Sequence, residues 1–123
     1  MSYIIVNGYE FPPPKRGVSV TVSTAVNSGR NANGVVVGQK VGRDLYKIDN
    51  LEWPYLPAKT WERILGCFKH FFVNVTFQDP VTGKPKTIKM YPGDRNGKPY
   101  WIDGNGKPLY YTDCKVNLID TGA

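Results

Sequence analysis

The tripeptide Gly-Lys-Pro occurs three times in the last third of this 123-residue chain, at positions 83–85, 97–99 and 106–108. Each copy stands beside residues rich in β-branched or aromatic side chains. Glycine adopts positive φ in tight turns at little cost, whereas proline fixes φ at about −65° and cannot donate a hydrogen bond to a strand ladder. We therefore expect three turns that connect strands of an antiparallel sheet, with a lysine at the tip of each turn.

Alternation of apolar and polar residues predicts further strands in the first half of the chain. Asn7-Gly8 separates two short apolar runs, which is the strongest short-range signal of a β-hairpin. Residues 18–25 alternate valine with serine or threonine, as expected for a half-buried strand. Residues 26–34 contain three Asn and two Gly without an apolar period, so we expect a loop there. Further short strands are predicted at 35–37 and 45–53.

One segment has the periodicity of a helix. Its apolar residues, at 61, 64, 65 and 68, recur at the i, i+3, i+4 and i+7 spacing of an amphipathic helix, and Pro57 suits the first helical position. We predict a helix at about 57–70 that covers one face of the sheet and ends near His70. Trp53 and Trp61 are then core residues, whereas the sequence leaves open whether Trp101 lies in the core or on the surface.

The remaining segments complete a β-rich pattern. Strands are predicted at 71–77, 86–91, 100–102, 109–111 and 115–119. Hydrophobic residues make up 41% of the chain and charged residues 21%, a composition typical of folded globular proteins. The predicted fold is a single β-rich domain over residues 1–123, mainly antiparallel sheet arranged as a sandwich or barrel, with one α-helix.

Residues that usually carry catalysis or bind metals are scarce. His70 is the only histidine, and Cys67 and Cys114 stand far apart, outside any CxxC pair or metal-ligand spacing. Residues 93–99 lack the Ser or Thr of a phosphate loop, and residues 103–108 lack the central glycine of a calcium loop. We therefore predict no catalytic activity, no cofactor and no metal site, with both cysteines as free thiols.

The charge and hydropathy patterns restrict the partners. The net charge of +6 is spread along the chain, without a polybasic tail or a basic helical stripe, and favours solubility. No run is apolar enough to cross a membrane, and residues 1–6 lack the basic and long apolar regions of a signal peptide. We expect synthesis in the cytoplasm and no membrane partner.

Several short motifs follow one another in a specific order. They are Asn7-Gly8 with Phe11-Pro12, Ser28 to Gly34, Leu51-Glu52-Trp53 with Leu56, Phe71-Phe72-Val73, Asp79 to Gly83, and Met90 to Arg95. In order and spacing they resemble a family of small proteins encoded among the tail genes of phages and prophages of Gram-positive bacteria, over most of residues 4–119. The resemblance implies a virion structural protein of the tail or baseplate region, or a tail-assembly factor, made in the host cytoplasm and without catalytic residues. We expect the partners to be further copies of the chain, in a homo-oligomer or ring, and other phage tail proteins.

Two segments combine adaptable glycine and asparagine with residue types that are enriched at protein interfaces. They are the predicted loop 26–34 and the hairpins within 95–111. We hypothesise that these segments make the contacts with partner proteins. The candidate interface residues are Arg30, Asn31, Asn33, Lys98, Tyr100, Trp101, Lys107 and Tyr110.

An alternative function is the binding of single-stranded nucleic acid by a basic, aromatic-rich β-barrel. The residues that would stack on bases are Tyr91, Tyr100, Trp101, Tyr110 and Tyr111, and those that would hold phosphates are Lys84, Lys89, Lys98 and Lys107. Binding that weakens steeply with salt would favour this alternative. Salt-tolerant oligomers and co-purification with tails would favour the virion role.

Overall fold

A computed structural model describes residues 3–24, 26–30, 36–40 and 42–122. The strands are β1 (Ile5–Val6), β2 (Tyr9–Glu10), β3 (Ser19–Ser23), β4 (Val26–Arg30), β5 (Val36–Lys40), β6 (Leu45–Pro57), β7 (Val73–Gln78), β8 (Pro85–Pro92), β9 (Asn96–Ile102) and β10 (Pro108–Asp120), and helix α1 spans Ala58–Cys67. All pairings among these strands are antiparallel. The predicted β-rich fold with one helix is therefore confirmed for the described part of the chain.

Eight of the strands form one sheet in the order β2-β1-β7-β8-β10-β6-β3, with β9 also paired to β10. β10 organises this sheet: it pairs with β6 along one edge, and with β9 and then β8 along the other. The path of the sheet ends at β2 and β3, so the sheet is open and is not a closed barrel. β4 and β5 form a separate two-stranded sheet.

A bulge in β6 determines which side chains face the core. Between Val116 and Leu118, β10 advances by two residues while its partner β6 advances by three, from Leu51 to Ile48. Asn50 occupies the bulge with φ of 59°. An extra residue on one strand reverses the alternation beyond it. This explains why the predicted strand 45–53 alternates imperfectly.

The core lies between the curved sheet and α1. Trp61 and Ile64 are the buried residues at the centre of the apolar face of α1, as the helical spacing predicts. Trp53 packs against Trp61 from β6, with ring centroids 6.3 Å apart. Tyr46 and Phe77 are in contact at 5.5 Å although β8 and β10 separate their strands in the sheet. The sheet therefore curls around a single core that contains both predicted tryptophans.

The helix is shorter than predicted at both ends. Pro57 precedes it as the N-cap and is the last residue of β6, and His70 lies exposed in the turn that follows. Phe71, which the alternation placed in the next strand, has φ of 67° and is exposed. The chain reverses direction here to enter β7, and this tight reversal overrides the alternating pattern.

The predicted loop 26–34 is wrong in part. Residues 26–30 form β4, which pairs with β5 at 36–40, a strand that is longer than predicted. Cross-strand backbone hydrogen bonds override the weak local preference of Asn, Ser and Gly here. Residues 31–34 lie outside the described residues.

The three Gly-Lys-Pro copies have different structures. Gly83 and Gly106 adopt φ of 71° and 78° in turns, as predicted. The copy at 97–99 instead lies within β9, so the prediction of a turn at this copy is wrong. The predicted strands 109–111 and 115–119 also join into β10, because the long strand β6 pairs with β10 across the gap between them.

Candidate interaction surface

The outer part of the β9–β10 hairpin, residues 99–110, extends beyond the core and is called the hairpin arm below. Four of its large apolar side chains are exposed: Tyr100 by 65%, Trp101 by 60%, Ile102 by 55% and Leu109 by 43%. Three of them are consecutive, so neither face of the strand is covered by the core. The arm presents apolar side chains on both faces.

The tip of the arm is ordered by a side chain. The Oδ1 atom of Asp103 accepts hydrogen bonds from the backbone N–H groups of Asn105 at 2.8 Å and Lys107 at 2.9 Å. Gly106 supplies the positive φ that this turn requires. An aspartate that bonds to the backbone two residues ahead is a common turn device.

The arm is anchored to the core at Gly97. A Cβ atom at this position would lie 2.7 Å from Nε1 of Trp61 and 3.4 Å from Sγ of Cys114. Only glycine lets the backbone of β9 approach the indole this closely. The glycine that the sequence assigned to a turn therefore serves close packing.

Stacked rings cover one face at the base of the arm. Tyr55 and Tyr110 stack with centroids 4.8 Å apart and an interplanar angle of 23°. Trp101 contacts Tyr110 at 6.3 Å. Desolvation and a hydrogen bond with Tyr110 raise the pKa of Tyr55. An electrostatic interaction with Tyr100 raises this pKa slightly further. The side chains of Tyr55, Trp101 and Tyr110, from β6, β9 and β10, thus form one partly exposed aromatic cluster.

One lysine lies at the base of the arm and another at its tip. Nζ of Lys98 lies 3.4 Å from Oδ2 of Asp113, and both side chains are exposed. Asp113 has φ of 52° at a point where the register between β9 and β10 shifts. Lys107 is exposed at the tip. An exposed ion pair contributes at most about 1 kcal/mol, so Lys98 is partly neutralised without being fixed.

A groove of about 380 Å³ lies between the arm and the start of α1. Its lining residues are Pro57, Ala58, Lys59, Glu62, Lys107, Pro108, Leu109 and Tyr110. Leu109 points its exposed apolar surface at this side of the arm. The groove continues the apolar surface of the arm toward the helix.

Five of the predicted interface residues lie on the arm or at its base, namely Lys98, Tyr100, Trp101, Lys107 and Tyr110, and of these the structure brings the rings of Trp101 and Tyr110 into contact. Arg30 ends β4, and its side chain lies outside what the structure describes, as do Asn31 and Asn33. Sequence reasoning missed Tyr55, Ile102 and Leu109. Tyr55 gave no signal, because strict alternation places it on the same face as the buried Trp53.

A second exposed aromatic cluster lies at the start of β7. Phe71 stacks on Tyr91 at 5.3 Å and contacts Phe72 at 5.0 Å. Nζ of Lys89 lies 5.6 Å from the centroid of the Phe72 ring. Tyr91, which the nucleic-acid alternative grouped with the arm, therefore belongs to a different surface.

The buried carboxylates have structural partners. Asp120 accepts two hydrogen bonds of 2.6 Å from Arg43, and one each from the backbone N–H groups of Tyr46 and Gly122. Burial by itself would raise the pKa of Asp120, but these hydrogen bonds and the charge of Arg43 outweigh it and lower that pKa. The hydroxyl of Tyr46 donates to the buried carboxylate of Asp79 at 3.1 Å. These groups hold the end of the core together.

The thiols are poorly suited to nucleophilic chemistry. Burial, with a smaller effect of Asp113, raises the pKa of Cys114 to about 11, and burial also raises the pKa of Cys67. A thiol is a nucleophile in its deprotonated form, so these raised pKa values disfavour nucleophilic attack by either cysteine at neutral pH. Both are free, as predicted.

Two absences hold for the part of the chain that the structure describes. No group of three or more His, Cys, Asp or Glu side chains there is arranged to hold a metal ion. No helix within those ranges has the length and hydropathy needed to span a bilayer.

The chain matches no family model, no curated protein and no solved structure.

Proposed function

We propose that this protein is a structural component that acts by self-association and by docking to other proteins, in the tail or baseplate region of a phage virion or during tail assembly. The observation that carries the proposal is the hairpin arm, in which Tyr100, Trp101 and Ile102 are each more than half exposed. Burial of apolar surface is the dominant driving force of most protein association. A partner that covers the arm would bury these apolar side chains, and this burial would stabilise the complex.

The residue types of the arm support a protein partner. Tyrosine and tryptophan are enriched at the energetic centres of interfaces, because they bury a large area with few rotatable bonds. Trp101 and Tyr110 are already held by ring contacts, so little side-chain entropy remains to be lost on binding. The placement in a phage tail rests on the sequence motifs, such as residues 79–83 and 90–95.

Self-association is tested by sedimentation velocity over a concentration series. We expect the wild-type chain to form species larger than a monomer, and Trp101→Ser to shift them to the monomer. Val81→Ser is the matched control, since Val81 is an exposed apolar residue in a turn outside the arm. A monomeric wild-type chain at every concentration would contradict self-association.

The virion role is tested with particles purified from the phage or prophage that encodes the chain. Mass spectrometry of these particles should detect the protein in a fixed ratio to the major tail protein. An Arg30→Ala, Trp101→Ala double variant should be incorporated less, whereas Val81→Ser should be incorporated normally. If the chain is absent from both particles and assembly intermediates, the proposed role is wrong.

Binding of single-stranded nucleic acid is the second candidate. It is favoured by basic side chains on the surfaces that carry exposed rings: Lys89 lies at Phe72, and Lys107 lies at the tip of the arm that carries Trp101. The proposed stacking residues are nevertheless divided, since Tyr91 lies in the second cluster and Tyr111 packs against the core. Fluorescence anisotropy with a labelled oligonucleotide should show no binding; strong binding that falls steeply with salt would replace our proposal.

A further inference from the structure

One edge of β9 is open. β9 pairs with β10 along its other edge, and no strand elsewhere in the described ranges pairs with it. Unpaired edges present backbone N–H and C=O groups that can add a further strand. Natural proteins protect such edges with proline, lysine or a covering element. In β9 these protections are confined to the first half, which has Lys98, Pro99 and the contact of Gly97 with Trp61.

Within the part of the chain that the structure describes, the second half of β9, Tyr100–Trp101–Ile102, has none of these protections. All three side chains are large and exposed, and all three residue types favour β-structure. An open edge recognises another extended polypeptide, because only a strand supplies matching backbone donors and acceptors. A nucleic acid would satisfy the rings but not these backbone groups.

We propose that β9 pairs antiparallel with β9 of a second copy of the chain, about a two-fold axis at Trp101. This inference rests on the proposed function, since it names the partner of the hairpin arm. The pairing places Trp101 opposite Trp101 and Tyr100 opposite Ile102 of the second copy. Aromatic pairs and pairs of an aromatic with a β-branched residue are favourable cross-strand neighbours. The segment is thus complementary to itself.

Charge and size agree with a second copy. Each chain carries a net charge of +6, so a dimer must keep its lysines apart. The proposed register sets Lys98 opposite Gly104, and Lys107 lies beyond the paired residues. The exposed side chains of Tyr100, Trp101 and Ile102 offer on the order of 400 Å² per copy, given the size of such side chains. Two copies then bury about 800 Å², which is the size of a weak or transient interface.

The register is tested by charge exchange at residue 101. Trp101→Lys and Trp101→Glu each place like charges opposite each other, so each variant alone should dimerise at least about tenfold more weakly than wild type. An equimolar mixture of the two should form a heterodimer at low salt, because opposite charges then face each other. Circular dichroism of each variant checks that it is folded, and the Val81→Lys control should dimerise as wild type.

A second measurement uses disulfide formation in a Cys67→Ser background, since Cys114 is buried. A mixture of tagged Tyr100→Cys and untagged Ile102→Cys chains should form crosslinked heterodimers in preference to either homodimer. Strand partners lie within the Cα separation that a disulfide spans.

The outcomes separate this inference from the proposed function. The wild-type chain could self-associate while the Trp101→Lys and Trp101→Glu variants fail to form a heterodimer, or while disulfides show no preference for residue 100 of one chain with residue 102 of the other. In either case the proposed pairing of β9 is wrong and the assembly uses another surface. If the chain is monomeric but is incorporated into tails, the proposal that the partner is a second copy is wrong, and the arm binds another protein. If the chain neither self-associates nor enters tails, or binds oligonucleotides through Trp101, both proposals are wrong.

Discussion

The two ends of β9 differ although they lie within one seven-residue strand. At Gly97 the backbone touches the ring of Trp61, which is only 3% exposed, whereas four residues later Trp101 is 60% exposed. Both tryptophans are of one residue type and both have aromatic neighbours. The difference arises because α1 covers only the start of β9. Residue type therefore does not determine burial; the position of the covering helix does.

The largest loss of stability should come from removing the ring of Trp61, which contacts the start of β9 at Gly97. Trp61→Ala should destabilise the protein by about 3–5 kcal/mol, because it loses the burial of a large side chain and leaves a cavity. The matched change at the free end, Trp101→Ala, should alter stability by less than about 1 kcal/mol. Urea denaturation of dilute monomer measures both. Equal losses for the two variants would contradict the comparison.

A smaller effect should come from a single methyl group at Gly97. Gly97→Ala places a Cβ atom 2.7 Å from Nε1 of Trp61, so the indole or the strand must shift. Overpacking of this kind destabilises by about 1–3 kcal/mol. Gly104→Ala is the control, since no atom lies within 4 Å of its Cβ position. If thermal denaturation gives the two variants the same midpoint, the close contact at Gly97 is not important for stability.

The two halves of β10 allow a similar comparison with carboxylates. Asp120→Asn weakens the partly buried hydrogen bonds to Arg43 and should destabilise the protein by about 1–2 kcal/mol at neutral pH. Asp113→Asn, at the exposed pair with Lys98, should change stability by less than about 1 kcal/mol.

The contribution of Asp120 should also depend on pH. Its folded pKa is lower than its unfolded pKa, so the stabilisation is present above about pH 3.9 and is lost as the pH falls through the folded pKa. The difference in unfolding free energy between wild type and Asp120→Asn should therefore shrink in acid. If this difference in unfolding free energy instead grows as the pH falls, the folded protein does not stabilise the charged form of Asp120.

The smallest effect should be a change in titration at the base of the arm. Tyr110→Phe removes the hydroxyl that helps to raise the pKa of Tyr55, so the pKa of Tyr55 should fall toward its ordinary value. NMR of labelled tyrosine rings measures this pKa during an alkaline titration. Tyr111→Phe serves as the control, because Tyr111 faces the core. An unchanged pKa in the Tyr110→Phe variant would show that the two hydroxyl groups do not interact.

Local sequence patterns determined most of the elements. The helix was predicted because residues 61, 64 and 68 recur at helical spacing, and these three residues are buried. The hairpin at Asn7-Gly8 was predicted because both residues tolerate positive φ, and they adopt φ of 48° and 83°. Such signals are local: they depend on the backbone preference of a residue or on a period within a few turns.

The candidate surface was predicted only in part from sequence. Composition drew attention to Tyr100, Trp101 and Tyr110, since aromatic residues beside glycine and lysine are common at interfaces. It could not show that Trp101 is exposed while Trp61 is buried. It also could not find Tyr55, which is 49% exposed although Trp53, two residues earlier in the same strand, is buried.

The sequence by itself determined the type and approximate place of the helix and of most strands, because the preferred backbone conformation and the side-chain alternation within a segment are set by neighbouring residues. The tertiary structure alone decided the order of the strands, the bulge at Asn50, the joining of two predicted strands into β10, and the role of Gly97 against Trp61. Each of these depends on pairing or contact between residues far apart in the chain. No local pattern encodes such pairings, because they arise only when the sheet curls and α1 covers part of it.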